Sequence, residues 1–600
     1  MNVREHKDEL VGRVQRLVGA LHALLLVIVG GFWMTQVVRG DHYRELAENN
    51  RLRKVPIKAP RGLIFDRGGN ILVENLPSYD LALDRTRTRD LAASVAYAAR
   101  ILGRAESDLA STLERVRSLP EFQPVILAKN LSLSEVSRFG VASLEHPEFE
   151  VEIGHQRVYR QSGATAHVLG YLGEVSDDDL KSAPDVYVPG DLVGRKGVEA
   201  TYDRRLRGRD GERIVVVDSR GKALEEYGRK PAQPGEDLTL TLDLALQQEA
   251  ERQLVEKVGA IVAIDPRTGE VRAFASSPSY DPNLFTRPLA AGEWQALVEG
   301  PHHPLQDRAL QSRYSPGSVF KIVMAVAGLT EGLISPSDTE FCSGAATFYD
   351  HRYRCWKQGG HGTVDLHRAI KYSCDVYFYH LGKRLGIERI ARYARQFRLG
   401  TPSGIDLRGE KAGLVPDGAW SLAARKHPWY AGETISVAIG QGPILVTPLQ
   451  LATMVSAVAN GGKFVTPHLV AGAEVPPPQP LGIDPRALSL VRRGLWAVVN
   501  EGDGTGRQAQ VADLDVAGKT GTVQVVAQKT WTKSSELPAE LRDHAWFASF
   551  APYDHPELAV VVFLEHAGAG SANAAPVAKA LYETFFAHRD VQPLAALLDG

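Results

Sequence analysis

A long apolar run stands near the start of the chain. Leu17 to Val38 contains no Asp, Glu, Lys or Arg, and a helix rising about 1.5 Å per residue over that length crosses a bilayer. His22 and Gln36 are its main polar interruptions. Arg4, Lys7, Arg13 and Arg16 precede it and favour a cytoplasmic N terminus, while Trp33 near the outer end suits the membrane interface. A cleaved signal peptide is the competing reading. The run is long for one, and no clean small-x-small site follows it. The pattern predicts a single-pass anchor at 17–38, a cytoplasmic tail at 1–16, and nearly everything later on the outer side of the membrane.

Beyond the anchor the pattern turns mixed. Residues 39–55 read as a polar helix. Arg61 to Gly69 reads as a short strand entering a glycine-rich turn, and Asn70 to Val73 resumes a strand. Residues 87–122 read as helical, 146–160 as strand, Asp177 to Val193 as an acidic, proline-containing loop, and Arg213 to Asp218 as strand. The Pro- and Gly-containing segment Lys230 to Glu236 marks a module boundary. Leu238 to Leu242 alternates strictly, as a half-buried strand does, and Asp243 caps a helix running through Leu246, Ala250 and Leu254. Gly259 to Ala275 is two apolar strands around a Pro/Gly turn. Pro316-Gly317 punctuates the chain before an apolar run from Ile322 to Leu329, the signature of a buried helix. Asp515 to Val526 reads as strand, Ala545–Phe550 and Leu558–Leu564 as a hairpin, and 575–587 as helix. The predicted class is α+β: an antiparallel sheet flanked by helices, with a helical block between residues 318 and 510.

Composition changes this picture little. Six hundred residues exceed one ordinary domain, so at least two folded units are expected. The formal charge of -2 points away from a strongly nucleic-acid-seeking surface and leaves room for a local basic patch. Arg204, Arg205, Arg207 and Arg209 stand beside Asp203 and Asp210, which favours structural pairing over phosphate binding.

Three short elements carry the chemistry. Ser318 and Lys321 lie three residues apart, on one face of the predicted helix start, where a desolvated lysine can take the serine proton. Alone, that spacing is common by chance. It is followed by Ser373-Cys374-Asp375 and then by Lys519-Thr520-Gly521-Thr522, and the order of the three matches the serine–lysine acyl-enzyme pattern. The chain resembles the class B penicillin-binding proteins over roughly residues 60–590, and their elongation-type subgroup in particular. The third place of the middle element, often Asn in the family, is Asp375, as in elongation-type variants.

The resemblance implies an N-terminal membrane helix, an elongated mixed α/β pedestal (dimerisation-like) module over 39–235, a transpeptidase domain over 236–590 and a short tail at 591–600. It implies catalytic Ser318, Lys321, Ser373 and Lys519, with Asp375, Thr520, Gly521 and Thr522 binding substrate. Thr520 and Thr522 would donate hydrogen bonds to the terminal carboxylate of a D-Ala-D-Ala stem peptide, and the N–H groups of Ser318 and Thr522 would form the oxyanion hole. The implied activity is stem-peptide cross-linking during cell elongation in the bacterial inner membrane, with inhibition by β-lactams and D-Ala-D-Ala carboxypeptidase activity when water is the acceptor. No glycosyltransferase domain is read in the chain, so a RodA-type membrane polymerase and other elongation-complex proteins are the implied partners. A division-type transpeptidase and a non-catalytic membrane-anchored scaffold are the rival readings. Asp375 and the cysteines speak against the first, and the intact Ser318, Lys321, Ser373 and Lys519 against the second.

All three cysteines fall between Cys342 and Cys374. With His361, the sulfurs of Cys342, Cys355 and Cys374 would suit a tetrahedral, structural Zn²⁺, as the elongation-type resemblance also implies. Asp350 and Asp338 are substitutes for Cys342 in that set. A Cys342–Cys355 disulfide, which an extracytoplasmic setting permits, and unlinked core cysteines remain alternatives.

Overall fold

The unbroken apolar runs become strands buried on both faces. In the computed structural model, which describes residues 3–121, 123–218, 223–287, 289–526 and 534–588, a five-stranded antiparallel sheet is built from Gly259–Ile264 (β1), Val271–Ser277 (β2), Ala517–Val523 (β3), His544–Ala551 (β4) and Leu558–Leu564 (β5), in the order β2-β1-β5-β4-β3. Every residue of β5 is buried, which requires cover on both faces of the sheet. Helices Leu244–Gln253, Pro448–Ala459 and Ala575–His588 pack against it. Asp243 caps the first of these by accepting from the Leu246 N–H. Thr447 and Gln450 form a capping box on the second, with Pro448 in its first turn.

The described chain divides into two compact units that are not consecutive in sequence. One gathers residues 61–76, 156–207 and 235–600. Within it, Arg61 and Arg157 converge on the fully buried Glu199 at 2.6 and 2.8 Å, and Arg61 also reaches Asp203 at 2.8 Å. Such a cluster is stable only because each charge has a partner, and it ties together segments about 140 residues apart. Compactness therefore cuts the chain differently from the linear module order expected above.

The other unit gathers residues 1–60, 77–155 and 208–234. The helix Val3–Trp33 continues through a π turn, Met34–Val38, and Leu10–Val38 is long and apolar enough to cross a membrane. Leu52–Ile57, Gly211–Val217 and Ala223–Lys230 form an antiparallel sheet with the second strand in the middle. Leu81, Val95, Ala98, Leu127 and Phe139 form a small separate core under the helices Leu91–Leu102 and Leu133–Ala142.

Three local expectations differ. The polar helix after the anchor stops at Arg51, and Leu52–Ile57, which carries β-branched Val55 and Ile57, is strand. The acidic segment expected as loop contains the short helix Asp177–Ser182, set by a Ser176/Asp179 capping box, and the strand Leu192–Gly194. Of the alternating Leu238–Leu242, only Leu238–Thr239 is strand. Leu240 instead makes an isolated bridge to Val470, and the Thr241 hydroxyl donates to the Val271 carbonyl. The expected tail at 591–600 lies outside the described residues.

Candidate active site

Ser318 sits in the 3-10 turn Gly317–Phe320, which feeds the helix Lys321–Thr330. Its neighbours Gly317 and Val319 are buried, while Ser318 itself is half-buried. The turn is clamped from two sides. Gly317, at φ +53°, donates its N–H to the Gly440 carbonyl at 2.9 Å. Gly440 lies at φ +73°, and a Cβ there would fall 2.1 Å from the Gly317 carbonyl oxygen. On the other side β3 comes close enough that a Cβ on Gly521 would meet Val319 Cγ2 at 3.1 Å and Trp546 Cβ at 2.9 Å. The motif glycine thus sets how near the strand comes to the serine turn.

One helical turn on, Lys321 is fully buried. Its Nζ donates to Asp375 Oδ1 at 2.6 Å, to the Ser373 carbonyl at 2.9 Å and to Ser373 Oγ at 3.2 Å. The structure thereby joins the first element to the second. Ser373 holds φ +52°, an uncommon backbone state for a residue with a side chain. It is kept there by hydrogen bonds from its own N–H to the Ile370 carbonyl and from the Cys374 N–H to the Ala369 carbonyl. Asp375 opens the helix Asp375–Gln396, and its other carboxylate oxygen accepts the Trp356 N–H at 2.9 Å. Burial raises the Asp375 carboxyl above its ordinary value, with Lys321 pulling the other way.

Lys519 is also fully buried, and its Nζ donates to the Thr520 carbonyl at 3.1 Å. Burial first, and then the charge of Lys321, push this lysine well below the ordinary range. Thr520 is buried and Thr522 half-buried. The Thr520 hydroxyl donates to Thr505 Oγ1 at 3.0 Å. Thr522 Oγ1 accepts the Gly570 N–H at 3.4 Å, and its carbonyl accepts Gln441 Nε2 at 3.2 Å.

Sequence reasoning passed over Trp356, Gln441, Lys371 and Thr505. Trp356 donates from its indole to the carbonyls of Tyr372 and Ser373 as well as from its backbone to Asp375. A signal existed for Thr505: it stands between Gly504 and Gly506 directly after an amphipathic helix.

Beside the middle element, Cys342, Cys355, His361 and Cys374 bring their ligand atoms within 4.8 Å of one another. His361 Nδ1 lies 3.7 Å from the Cys342 sulfur and 3.5 Å from that of Cys355. None of the three cysteines is in a disulfide. Hydrogen bonding from Cys374, and then from His361, holds the Cys355 thiol well below its ordinary range, while Cys374 is driven up. Three sulfurs and an imidazole, mostly buried and this close together, fit a closed tetrahedral metal site. Asp350 and Asp338 are not in the set. Asp350 is exposed in a turn at φ +60°, and the Asp338 carboxylate accepts the Ser335 N–H and hydroxyl.

Two family models match the chain: the penicillin binding protein transpeptidase domain over residues 259–583 and the penicillin-binding protein dimerisation domain over residues 56–240. The peptidoglycan D,D-transpeptidase MrdA of Haemophilus influenzae is 36% identical over 595 residues, spanning 96% of this chain and 91% of that protein. The solved complex of PBP2 and MreC from Helicobacter pylori is similar at a TM-score of 0.80 and 27% identity, over 90% of this chain and 99% of that one. A chain from a structure of a peptidoglycan synthase complex that coordinates polymerization and crosslinking is similar at 0.70 and 32% identity, over 97% and 99%.

Proposed function

Because the chain belongs to the penicillin-binding proteins of the MrdA/PBP2 type, the elongation-specific peptidoglycan D,D-transpeptidases, we propose that its acyl-enzyme forms on Ser318. The protein is a serine-type enzyme of cell-wall cross-linking, held by a single N-terminal membrane helix with its catalytic domain in the periplasm. The observation that carries the residue assignment is the convergence of Lys321 on Ser373 and Asp375 at 2.6–3.2 Å, one turn beyond a half-buried serine.

In this mechanism the Lys321 amine takes the Ser318 hydroxyl proton as the oxygen attacks the penultimate D-Ala carbonyl of a stem peptide. The oxyanion rests on the N–H groups of Ser318 and Thr522. Lys519, Thr520 and Thr522 hold the terminal carboxylate, with Gly521 allowing the strand to come close. Asp375 positions Lys321. Ser373, within 3.2 Å of that amine, passes the proton to the departing D-Ala amine. A neighbouring stem peptide's amine then takes the acyl group, or water does so in the carboxypeptidase reaction. A β-lactam acylates Ser318 by the same route and leaves slowly.

The set Cys342, Cys355, His361 and Cys374 would hold Zn²⁺ as a structural ion, and Cys374 would thereby fix its neighbour Ser373. The module bounds read from the sequence, a pedestal over 39–235 and a transpeptidase domain over 236–590, are supported by the family matches at 56–240 and 259–583. The H. pylori likeness supports partners of the elongation complex, MreC-like proteins among them, and a RodA-type polymerase is the further partner this reading expects.

Intact-mass measurement of the full chain in detergent, before and after fluorescent penicillin, tests the nucleophile. One adduct on the wild type and none on folded Ser318→Ala is the expected result, and an adduct that persists in Ser318→Ala overturns it. The same preparation should carry about one zinc per chain, lost in Cys355→Ser.

A further inference from the structure

The loop after the helix Pro485–Asn500 links two of the three catalytic elements. Thr505 Oγ1 lies 3.2 Å from the Lys371 carbonyl and 3.0 Å from Thr520 Oγ1. A carbonyl oxygen can only accept, so the Thr505 proton goes to Lys371 and the Thr505 oxygen accepts the Thr520 proton. The chain of donors is thus fixed in direction: Thr520 to Thr505 to the backbone two residues before Ser373.

The loop that carries Thr505 is held firmly. Lys371 Nζ sits between Glu501 at 2.7 Å and Asp503 at 2.8 Å. The Tyr372 hydroxyl donates to Asp503 at 2.6 Å, and His367 meets Glu501 at 2.9 Å. The flanking glycines close the turn against the helix. A Cβ on Gly504 would lie 2.3 Å from the Val498 carbonyl oxygen, and one on Gly506 would meet Val498 Cγ1 at 2.9 Å. Gly506 donates its N–H to that same carbonyl at 2.8 Å. Five charged or ionisable side chains and two close-packed glycines therefore place a single hydroxyl against the strand that binds substrate.

We propose that Thr505 is a positioning residue for acyl transfer, holding the Thr520 hydroxyl in register between the middle element and β3. In the free enzyme Thr505 gives the Thr520 proton an acceptor. When a substrate carboxylate arrives, the Thr520 proton turns to it, while Thr505 keeps its bond to Lys371 and the side chain of Thr520 keeps its place. Thr520 then binds the carboxylate without first having to be ordered, which is where preorganisation contributes. The inference rests on the reading of Thr520 as a carboxylate-binding residue.

A double-mutant cycle on the full chain tests it, with fluorescent penicillin as the probe and the second-order acylation constant as the readout. Thr505→Val keeps the shape and removes the hydroxyl, and should slow acylation about tenfold. The loss should fall on apparent binding, with the limiting acylation rate at saturating probe little changed. Thr505→Ser should restore the constant to within about threefold. In a Thr520→Val background, Thr505→Val should cost almost nothing more, because residues acting through one another are not additive. Should valine disturb the fold, as thermal melting would report, Thr505→Ala serves in the same cycle. Wild-type acylation in folded Thr505→Val, penalties that multiply in the double variant, or no rescue by serine would each overturn the proposal. If Thr520→Val is slow and Thr505→Val is not, this inference fails and the carboxylate-binding reading stands. If Thr520→Val acylates normally, that reading itself fails and the inference falls with it.

Discussion

Asp307 is a carboxyl removed from water. Its oxygen accepts the Ala309 and Leu310 N–H groups, yet burial pushes it up to about 7 against those bonds and the charges of Lys196 and Arg308. An acid whose folded value lies above its unfolded value binds more protons when folded. Its contribution to stability is therefore full below about pH 4 and is lost as pH rises toward 7. Asp307→Asn removes this dependence. The variant should gain about 2–3 kcal/mol relative to wild type between pH 5 and pH 8, read from denaturant melts at the two pH values. A constant difference between the two proteins would show that the carboxyl does not titrate in this window. At this scale the sequence was legible where chemistry and spacing are local. Ser318 and Lys321 share a turn, and Cys342, Cys355, His361 and Cys374 fall within one short stretch of chain. For Thr505 only the flanking glycines were legible, because its partners Lys371 and Thr520 lie 134 and 15 residues away and no local pattern joins them.

Elements were read well where their ends are chemical. Asp243 caps the helix it precedes, and the Asp265-to-Gly269 turn closes the hairpin of β1 and β2. They were read poorly where a long-range partner decided the outcome. Leu238–Leu242 alternates like a strand, but only Leu238–Thr239 has a strand beside it, paired in parallel with Ile64–Phe65. The glycine-rich turn before Pro448–Ala459 lies against the turn that carries Ser318. Its Gly440 carbonyl accepts the N–H of Gly317 at 2.9 Å, and its backbone leaves no room for a side chain. Gly440→Ala combines a backbone strained at φ +73° with a contact of 2.1 Å, so the turn that carries Ser318 must shift. Penicillin acylation should fall about 100-fold, with a stability loss of about 1–3 kcal/mol. Wild-type acylation in the variant would show that the turn tolerates displacement.

For the whole molecule, the apolar helix is the element without protein cover along its apolar window. None of the apolar window of Leu10–Val38 is buried within the protein, and Leu17 and Leu26 are each 71% exposed. Apolar side chains without a protein partner belong in lipid, where the helix satisfies its own backbone. A chain lacking residues 1–39 should leave the membrane fraction on sedimentation and still form one penicillin adduct per molecule. Retention in the membrane fraction would point to a second lipid-binding surface. The anchor, the α+β class, the strands of the five-stranded sheet and the three short motifs around Ser318, Ser373 and Lys519 are all readable from the sequence. Each of these is written in local composition, capping residues and the period of apolar positions. Which side chains meet was set by packing in three dimensions: Lys321 with Asp375, Gly317 with Gly440, Thr505 with both Lys371 and Thr520, and Arg61 with Glu199. It also decided that residues 61–76 and 156–207 are gathered with the catalytic half. These meetings depend on packing and on pairing every buried charge across large sequence separations, and nothing in local periodicity encodes them.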